Sequence, residues 1–136
     1  MKVIGATQKS VFLICPVRNL EQQEKERIQS YVSGLEQDGK KVHWPPRDTN
    51  QEDSVGLRIC QDNREAIRKA DEVHVWWNPS SQGSLFDVGM SFAMEKKTIL
   101  ANPEAVQSTP HKSFNNVLLA LNLQRSLNSV EANSRI

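Results

Sequence analysis

The chain has 136 residues, with 17 Lys and Arg against 16 Asp and Glu and a formal net charge of +1. One domain spanning 1–136 is expected, with enough chain for a hydrophobic core. Acids and bases are interleaved, which argues against a nucleic-acid polymer or an acidic membrane as partner and leaves a small molecule as the expected ligand. No apolar run approaches the roughly 20 residues of a membrane span, and residues 1–10 lack the apolar core of a secretory signal. Cys15 and Cys60 are too few and too far apart for a disulfide framework or a zinc site. A cytoplasmic location is the expectation.

Residues 1–9 offer at most a short edge segment at Lys2-Val3-Ile4. Val11 to Cys15 is a continuous apolar run, the pattern of a parallel strand covered on both faces. Within it Cys15 reads as a small buried hydrophobe. Pro16 ends the run, because proline cannot donate into a ladder, and Arg18 and Asn19 fall in the loop, with Asn19 a fitting N-cap. The spacing of Ile28, Tyr31, Val32 and Leu35 predicts a helix over 20–38, closed by Asp38-Gly39. Lys41 to Trp44 reads as a second strand stopped by Pro45-Pro46, and 47–53 as a loop long enough to cover a ligand. A second helix runs from about Ser54 to Lys69, and Glu72 to Trp77 is the third strand. A third helix is expected over about 84–96 with Ser84 as its N-cap, then a strand at Thr98–Ala101. The last helix covers roughly Ser113 to Leu127. The core is expected over about 10–125, and the polar stretch 126–136 reads as a mobile tail.

Strand and helix alternate throughout. That order calls for a three-layer, doubly wound parallel sheet of four or five strands with helices on both faces. For so short a chain the flavodoxin-like order 2-1-3-4 is expected. Such sheets bind ligands beyond the C-terminal strand ends where the order reverses, here between strands 1 and 3. Those ends are Cys15–Asn19 and Trp77–Asp87.

Asp87 has two readings. Ser84-x-x-Asp87 has the spacing of a capping box. Aspartate is a short partner for such a box, however, and the helix starts at the predicted crevice, where its dipole favours an ionised carboxylate. A carboxylate facing a sugar is the nucleophile of many glycosyl-transfer enzymes. Arg18 is either a solvated loop residue or a bidentate holder of phosphate or carboxylate. Ser84 and the amides of residues 84–86 form an anion site at the helix N-terminus. Gly-rich dinucleotide and triphosphate motifs are absent from the sequence. His43, His74 and His111 have no metal-ligand spacing, so no metal is expected. Asp62 lies on the second helix. Trp44 and Trp77, at strand ends, suit either a base-stacking or a core role.

Gly83-Ser84-Leu85-Phe86-Asp87-Val88-Gly89, followed by Ala93-Met94-Glu95-Lys96-Lys97 and Ile99-Leu100, resembles the signature of the nucleoside 2-deoxyribosyltransferases. Their motif is Gly-Ser-x-Phe-Glu-x-Gly, then Ala-Met-x-Lys and a strand. The wider superfamily includes the deoxynucleoside 5′-monophosphate N-glycosidases, whose Ser-x-Arg loop after strand 1 meets the phosphate; Pro16-Val17-Arg18 is similar to it. The likeness covers residues 10–101 and is close over 83–100. It implies a flavodoxin-like fold, a homo-oligomer of at least two subunits, and cleavage or exchange of a base–deoxyribose bond without cofactor. It implies a nucleophile at Asp87, where the family has glutamate, and base contact at Gln82, where the transferases have aspartate. Asp62 matches an acid that holds the sugar or orients the nucleophile.

The leading expectation is therefore an enzyme acting on the N-glycosidic bond of a nucleoside or nucleoside 5′-monophosphate. Asp87 and Asp62 would be catalytic, and Arg18, Gln82, Gly83, Ser84 and Trp77 would bind substrate. The alternative is a non-catalytic nucleotide-binding module that has lost the family's glutamate.

Overall fold

The computed structural model describes residues 8–134, with side chains through Gln124. The segment Lys2-Val3-Ile4 lies outside the described residues. Four strands, β1 (Ser10–Ile14), β2 (Lys41–His43), β3 (Glu72–Val75) and β4 (Lys97–Leu100), form one parallel sheet in the order β2-β1-β3-β4. This is the expected flavodoxin-like order, and the layers are helix, sheet, helix. Phe12, Leu13 and Ile14 are fully buried, which is why β1 is apolar without alternation: both of its faces are covered.

The two faces carry separate cores. Val11, Leu13, Cys15, Val42 and Trp76 pack against Ile28 and Val32 of α1 (Gln22–Gln37). Phe12, Ile14, Val73 and Val75 pack with Ile67 of α3 (Leu57–Lys69), Leu118 of α5 (Phe114–Ser134), and Val88 and Met90 of α4 (Gln82–Ala93). Each fully buried aliphatic side chain stabilises the fold by about 1.5–3 kcal/mol. At the N-terminal end of the sheet, Asp71 Oδ2 accepts from Ser10 N at 2.7 Å and so ties the start of β1 to β3.

Several boundaries differ from the sequence expectation for local reasons. Asn19 has φ 57°, the left-handed conformation that asparagine tolerates, so it turns the chain and α1 is entered through Glu21. The stretch after β2 is not all loop: α2 (Pro45–Asp48) is one helical turn, with Pro45 at a position where its missing N–H is not needed. Gly56, at φ 94°, delays α3 to Leu57. The segment read as a tail continues α5 to Ser134, and residues 126–134 contain no glycine or proline to end a helix.

Asn102 joins the C-terminal ends of β3 and β4. Its Oδ1 accepts from Trp77 N at 2.8 Å and its Nδ2 donates to Trp77 O at 3.0 Å, all buried. Asn102→Leu leaves both Trp77 backbone groups unpaired in the interior and should destabilise the protein by about 2–4 kcal/mol. Urea unfolding measures this; a loss below about 1 kcal/mol would mean that water replaces the clasp.

Candidate active site

Between the C-terminal ends of β1 and β3 lies a cavity of about 520 Å³. One side is formed by Cys15 to Asn19, after β1. The segment after β2 contributes Pro45 and Gln51, and α3 with its preceding glycine contributes Gly56, Ile59, Cys60 and Asn63. The β3–α4 segment closes it with Asn78, Ser80 to Gly83, Phe86 and Asp87. The crevice is at the reversal of strand order, as the topology requires.

The start of α4 is set by Ser81, not Ser84. Ser81 Oγ accepts the backbone N–H of Ser84 at 3.1 Å and donates to Ser84 Oγ at 2.8 Å. Ser84 is thereby buried behind the first turn, outside the cavity lining, whereas Ser81, whose hydroxyl proton is engaged by Ser84, lines the cavity. The backbone N–H groups of Gln82 and Gly83 have no acceptor among the described residues, and both residues line the cavity.

With the cap moved three residues earlier, Asp87 falls in the second turn and caps nothing. The capping-box reading is corrected accordingly. Asp87 makes no hydrogen bond or ion pair among the described residues. Burial alone pushes its carboxyl up to about 7. The expectation that the helix dipole keeps it ionised fails for the same reason: no backbone amide reaches it. It is the sole carboxylate among the described residues lining the cavity. Its neighbours there include two thiols, Cys15, which burial pushes up to about 12, and Cys60, also raised by burial and then by Asp87 itself.

The other expected site residues divide. Arg18 lines the cavity, exposed and without a hydrogen bond or ion pair among the described residues, and Gln82 and Gly83 line it as well. Asp62 does not. It pairs with Arg58 one turn earlier on α3 and borders a separate groove with Ser10, Lys41 and His43. Trp77 is also displaced from its expected role: it is 6% exposed in the core, with its indole N–H on Asn115 Oδ1 at 2.7 Å. Trp44 is held under the Arg47 guanidinium outside the lining.

Two residues not singled out from the sequence complete the wall. Asn63, 6% exposed, takes the position on the cavity face of α3 that had been expected of Asp62. Thr49 Oγ1 donates to Asn63 Oδ1 at 2.8 Å, and His43 Nε2 lies 2.8 Å from the same hydroxyl. A hydroxyl has one proton, so with Thr49 donating to Asn63 the His43 Nε2–H donates to Thr49, and Asn63 Nδ2 has no partner among the described residues. Gln51 Nε2 donates both its protons, to Pro45 O at 2.9 Å and Thr49 O at 3.1 Å. The periodicity of α3 carried the signal for Asn63. Ile59, Cys60 and Ile67 share its stripe, whereas Asp62 shares the outer stripe with Arg58.

Compared by sequence, the chain matches no protein-family model and no curated protein. Solved structures do match. The Clostridium botulinum CMP N-glycosidase BcmB is 29% identical with a TM-score of 0.53, over 68% of this chain and 67% of that one. BlsM is 20% identical with a TM-score of 0.56, over 68% of this chain and 64% of its own, less than two thirds of its length. The 2-deoxyribosyltransferase from Bacillus psychrosaccharolyticus is 20% identical with a TM-score of 0.54, over 80% and 90%. The two at 20% identity show the fold alone. The chain is thus similar to the nucleoside 2-deoxyribosyltransferase-like superfamily that its residues 83–100 resemble.

The raised pKa of Asp87 has a consequence for stability. The unfolded carboxyl ionises near 4 and the folded one near 7, so the native state loses stability as pH rises between those values and none further above them. Asp87→Asn should therefore raise the urea midpoint at pH 8 and leave it nearly unchanged at pH 4. Equal shifts at both pH values would show that burial does not hold the carboxyl neutral.

Proposed function

We propose that this protein cleaves the N-glycosidic bond of a nucleoside 5′-monophosphate, with Asp87 as nucleophile. The observation that carries the reading is Asp87 itself: a carboxyl in the switch-point cavity, desolvated and without a hydrogen bond or ion pair among the described residues, is poised to react and not to support structure. The neighbouring CMP N-glycosidase and the motif over residues 83–89 support the same chemistry. In the first step the C1′–N bond breaks with its electron pair going to the base, and Asp87 bonds to C1′. Water then supplies hydroxide to C1′ and a proton to the base, releasing the Asp87 carboxylate. No cofactor enters this scheme.

Arg18 and the free amides of Gln82 and Gly83 would hold the 5′-phosphate, combining a fork-shaped cation with a helix N-terminus. Gln82 would contribute hydrogen bonds to the substrate, since an amide cannot act as a general acid. Among the described residues no group of three or more His, Cys, Asp or Glu is arranged to hold a metal ion, and no helix is long and apolar enough to cross a membrane. Two free thiols suit a reducing, cytoplasmic setting.

Base release from a panel of nucleosides and their 5′-monophosphates tests the reading. The rate should rise with pH through about 7 and then level, because only the carboxylate attacks. Asp87→Ala should lower it on the order of a thousandfold or more. Arg18→Ala should raise KM for monophosphates and leave it unchanged for nucleosides. Saturable binding with no base released by the native chain would instead support a nucleotide-binding module.

The active form would be a homodimer joined through α4. Phe86, Phe92 and Leu85 on that helix are exposed, as are Phe114 and Val117 of α5. A Cβ at Gly89 would meet nothing within 4 Å in this chain, so packing within the chain does not explain a helix-interior glycine that costs about 1 kcal/mol relative to alanine. Phe92→Glu should leave the helical circular dichroism intact and convert the dimer to monomer in sedimentation. A native chain already monomeric at micromolar concentration would remove this part of the proposal.

A further inference from the structure

The residues between α2 and α3, 49–56, contribute Gln51 and Gly56 to the cavity lining. Residues 50–55 make no backbone–backbone hydrogen bond among the described residues. Val55, their one large apolar side chain, is 84% exposed. Side chains hold this segment instead. Asn50 Oδ1 accepts from Glu52 N at 2.8 Å and Asp53 Oδ1 from Val55 N at 3.1 Å, which shapes the segment without fastening it to anything else. Gln51 Nε2 reaches back to Pro45 O and Thr49 O at its beginning, and Asp53 Oδ2 accepts from Ile59 N at 3.2 Å at its end. Between these ends the fastening is Arg58. Its Nη2 donates to Asn50 O at 2.5 Å and to Glu52 O at 3.1 Å, the carbonyls on either side of Gln51. Its Nη1 donates to Asp62 Oδ2 at 2.5 Å.

Helix stability does not account for this arrangement. Arg58 is in the first turn of α3, where the helix dipole disfavours a cation. A base that precedes its acid by four residues is also the less stabilising order of such a pair. The two side chains are 39% and 50% exposed, so water screens their attraction. What the pair supplies is direction: Asp62 fixes one end of a planar fork whose other end holds two carbonyls. We propose that Arg58 is the positioning residue for the cavity wall at Gln51, and that Asp62 serves the site only through Arg58, without touching substrate. This rests on the nucleotide reading above for what the wall encloses. A segment fastened between its ends by one exposed guanidinium opens locally while the rest of the fold stays closed. Loss of that fastening therefore weakens the hold on substrate before it weakens the protein.

The test has two readouts on the full chain. Cleavage after Glu52 by a glutamate-specific protease, in buffer where the fold is intact, reports opening of the segment and needs no substrate. Base release from nucleoside 5′-monophosphates reports the site. Arg58→Met should speed the cleavage about tenfold, the scale of one lost hydrogen bond. It should raise KM by a similar factor with kcat changed less, and leave the urea midpoint nearly unmoved. Asp62→Leu should act in the same direction by less. Asp62→Asn keeps an oxygen acceptor for the guanidinium and should match the native chain in both readouts. Loss of base release in Asp62→Asn with cleavage unchanged would show the carboxylate acting on substrate directly, and would overturn the proposal. Cleavage unmoved in both Arg58→Met and Asp62→Leu would overturn it too. So would a urea midpoint that falls in step with activity, as a merely structural role requires. Cleavage that responds as expected in a chain that releases no base would retain the strap and remove the enzymatic reading.

Discussion

The structure depends first on the pairing of β1 with β3. Val11 to Ile14 align with Glu72 to Val75 in parallel, so both strands release the chain at one end of the sheet and on opposite sides of a gap. The loop carrying Arg18 and the helix carrying Asp87 face one another because of that register. A slip of one residue would turn Phe12 and Ile14 to the face of α1 and exchange the two cores. The apolar run Val11 to Ile14 of β1 would tolerate such a slip, but β3 would not, because Glu72 and His74 alternate with Val73 and Val75. Glu72 and His74 are buried together, with His74 Nε2 3.0 Å from Glu72 Oε1 and Nδ1 2.5 Å from the Tyr31 hydroxyl. Polar groups on one face of β3 thus set the register for a strand that could not set its own.

Above that frame, the crevice leaves its carboxyl without partners among the described residues. Asp87 is placed where neither the amides of α4 nor a cation neutralises it. Two thiols, Cys15 and Cys60, share its cavity, each with its pKa raised by burial. Nearby amides are handled in the opposite way, each half-engaged so that one function remains. Asp87 is one methylene shorter than the glutamate of the motif that residues 83–89 resemble, which sets its carboxyl roughly 1.5 Å further back on standard bond lengths.

The order of elements and the strand order were legible in the sequence because β1, α1 and β3 each obey one periodicity throughout. The crevice followed from topology, and Arg18, Gln82, Gly83 and Asp87 with it. Other expected residues lie outside the cavity lining, where the local signal was shared between neighbours. Ser81 and Ser84 both suit a cap, and the choice depends on where the chain leaves β3. Asp62 and Asn63 are adjacent, so only the full stripe of α3, through Ile59, Cys60 and Ile67, separates the outer face from the inner. Trp77 at a strand end suits a ligand as well as a core. Its burial is decided by Asn102 and Asn115, which lie 25 and 38 residues away and leave no local trace.

The two outer strands of the sheet have a further property. Lys41 N–H bonds to Lys9 O, so the backbone groups of Val42 point away from β1, and Arg47 Nη2 donates to Val42 O at 3.1 Å. On the far side Ala101 N–H bonds to Val75 O, so Leu100 points outward, and Asn122 Oδ1 accepts its N–H at 3.0 Å. Each margin thus has an outward-facing backbone group already engaged by a side chain. Adding a foreign strand would break one of these bonds on either side, which disfavours open-ended growth through sheet extension. Any association between copies would then use helix surfaces, and a two-fold contact there closes on itself.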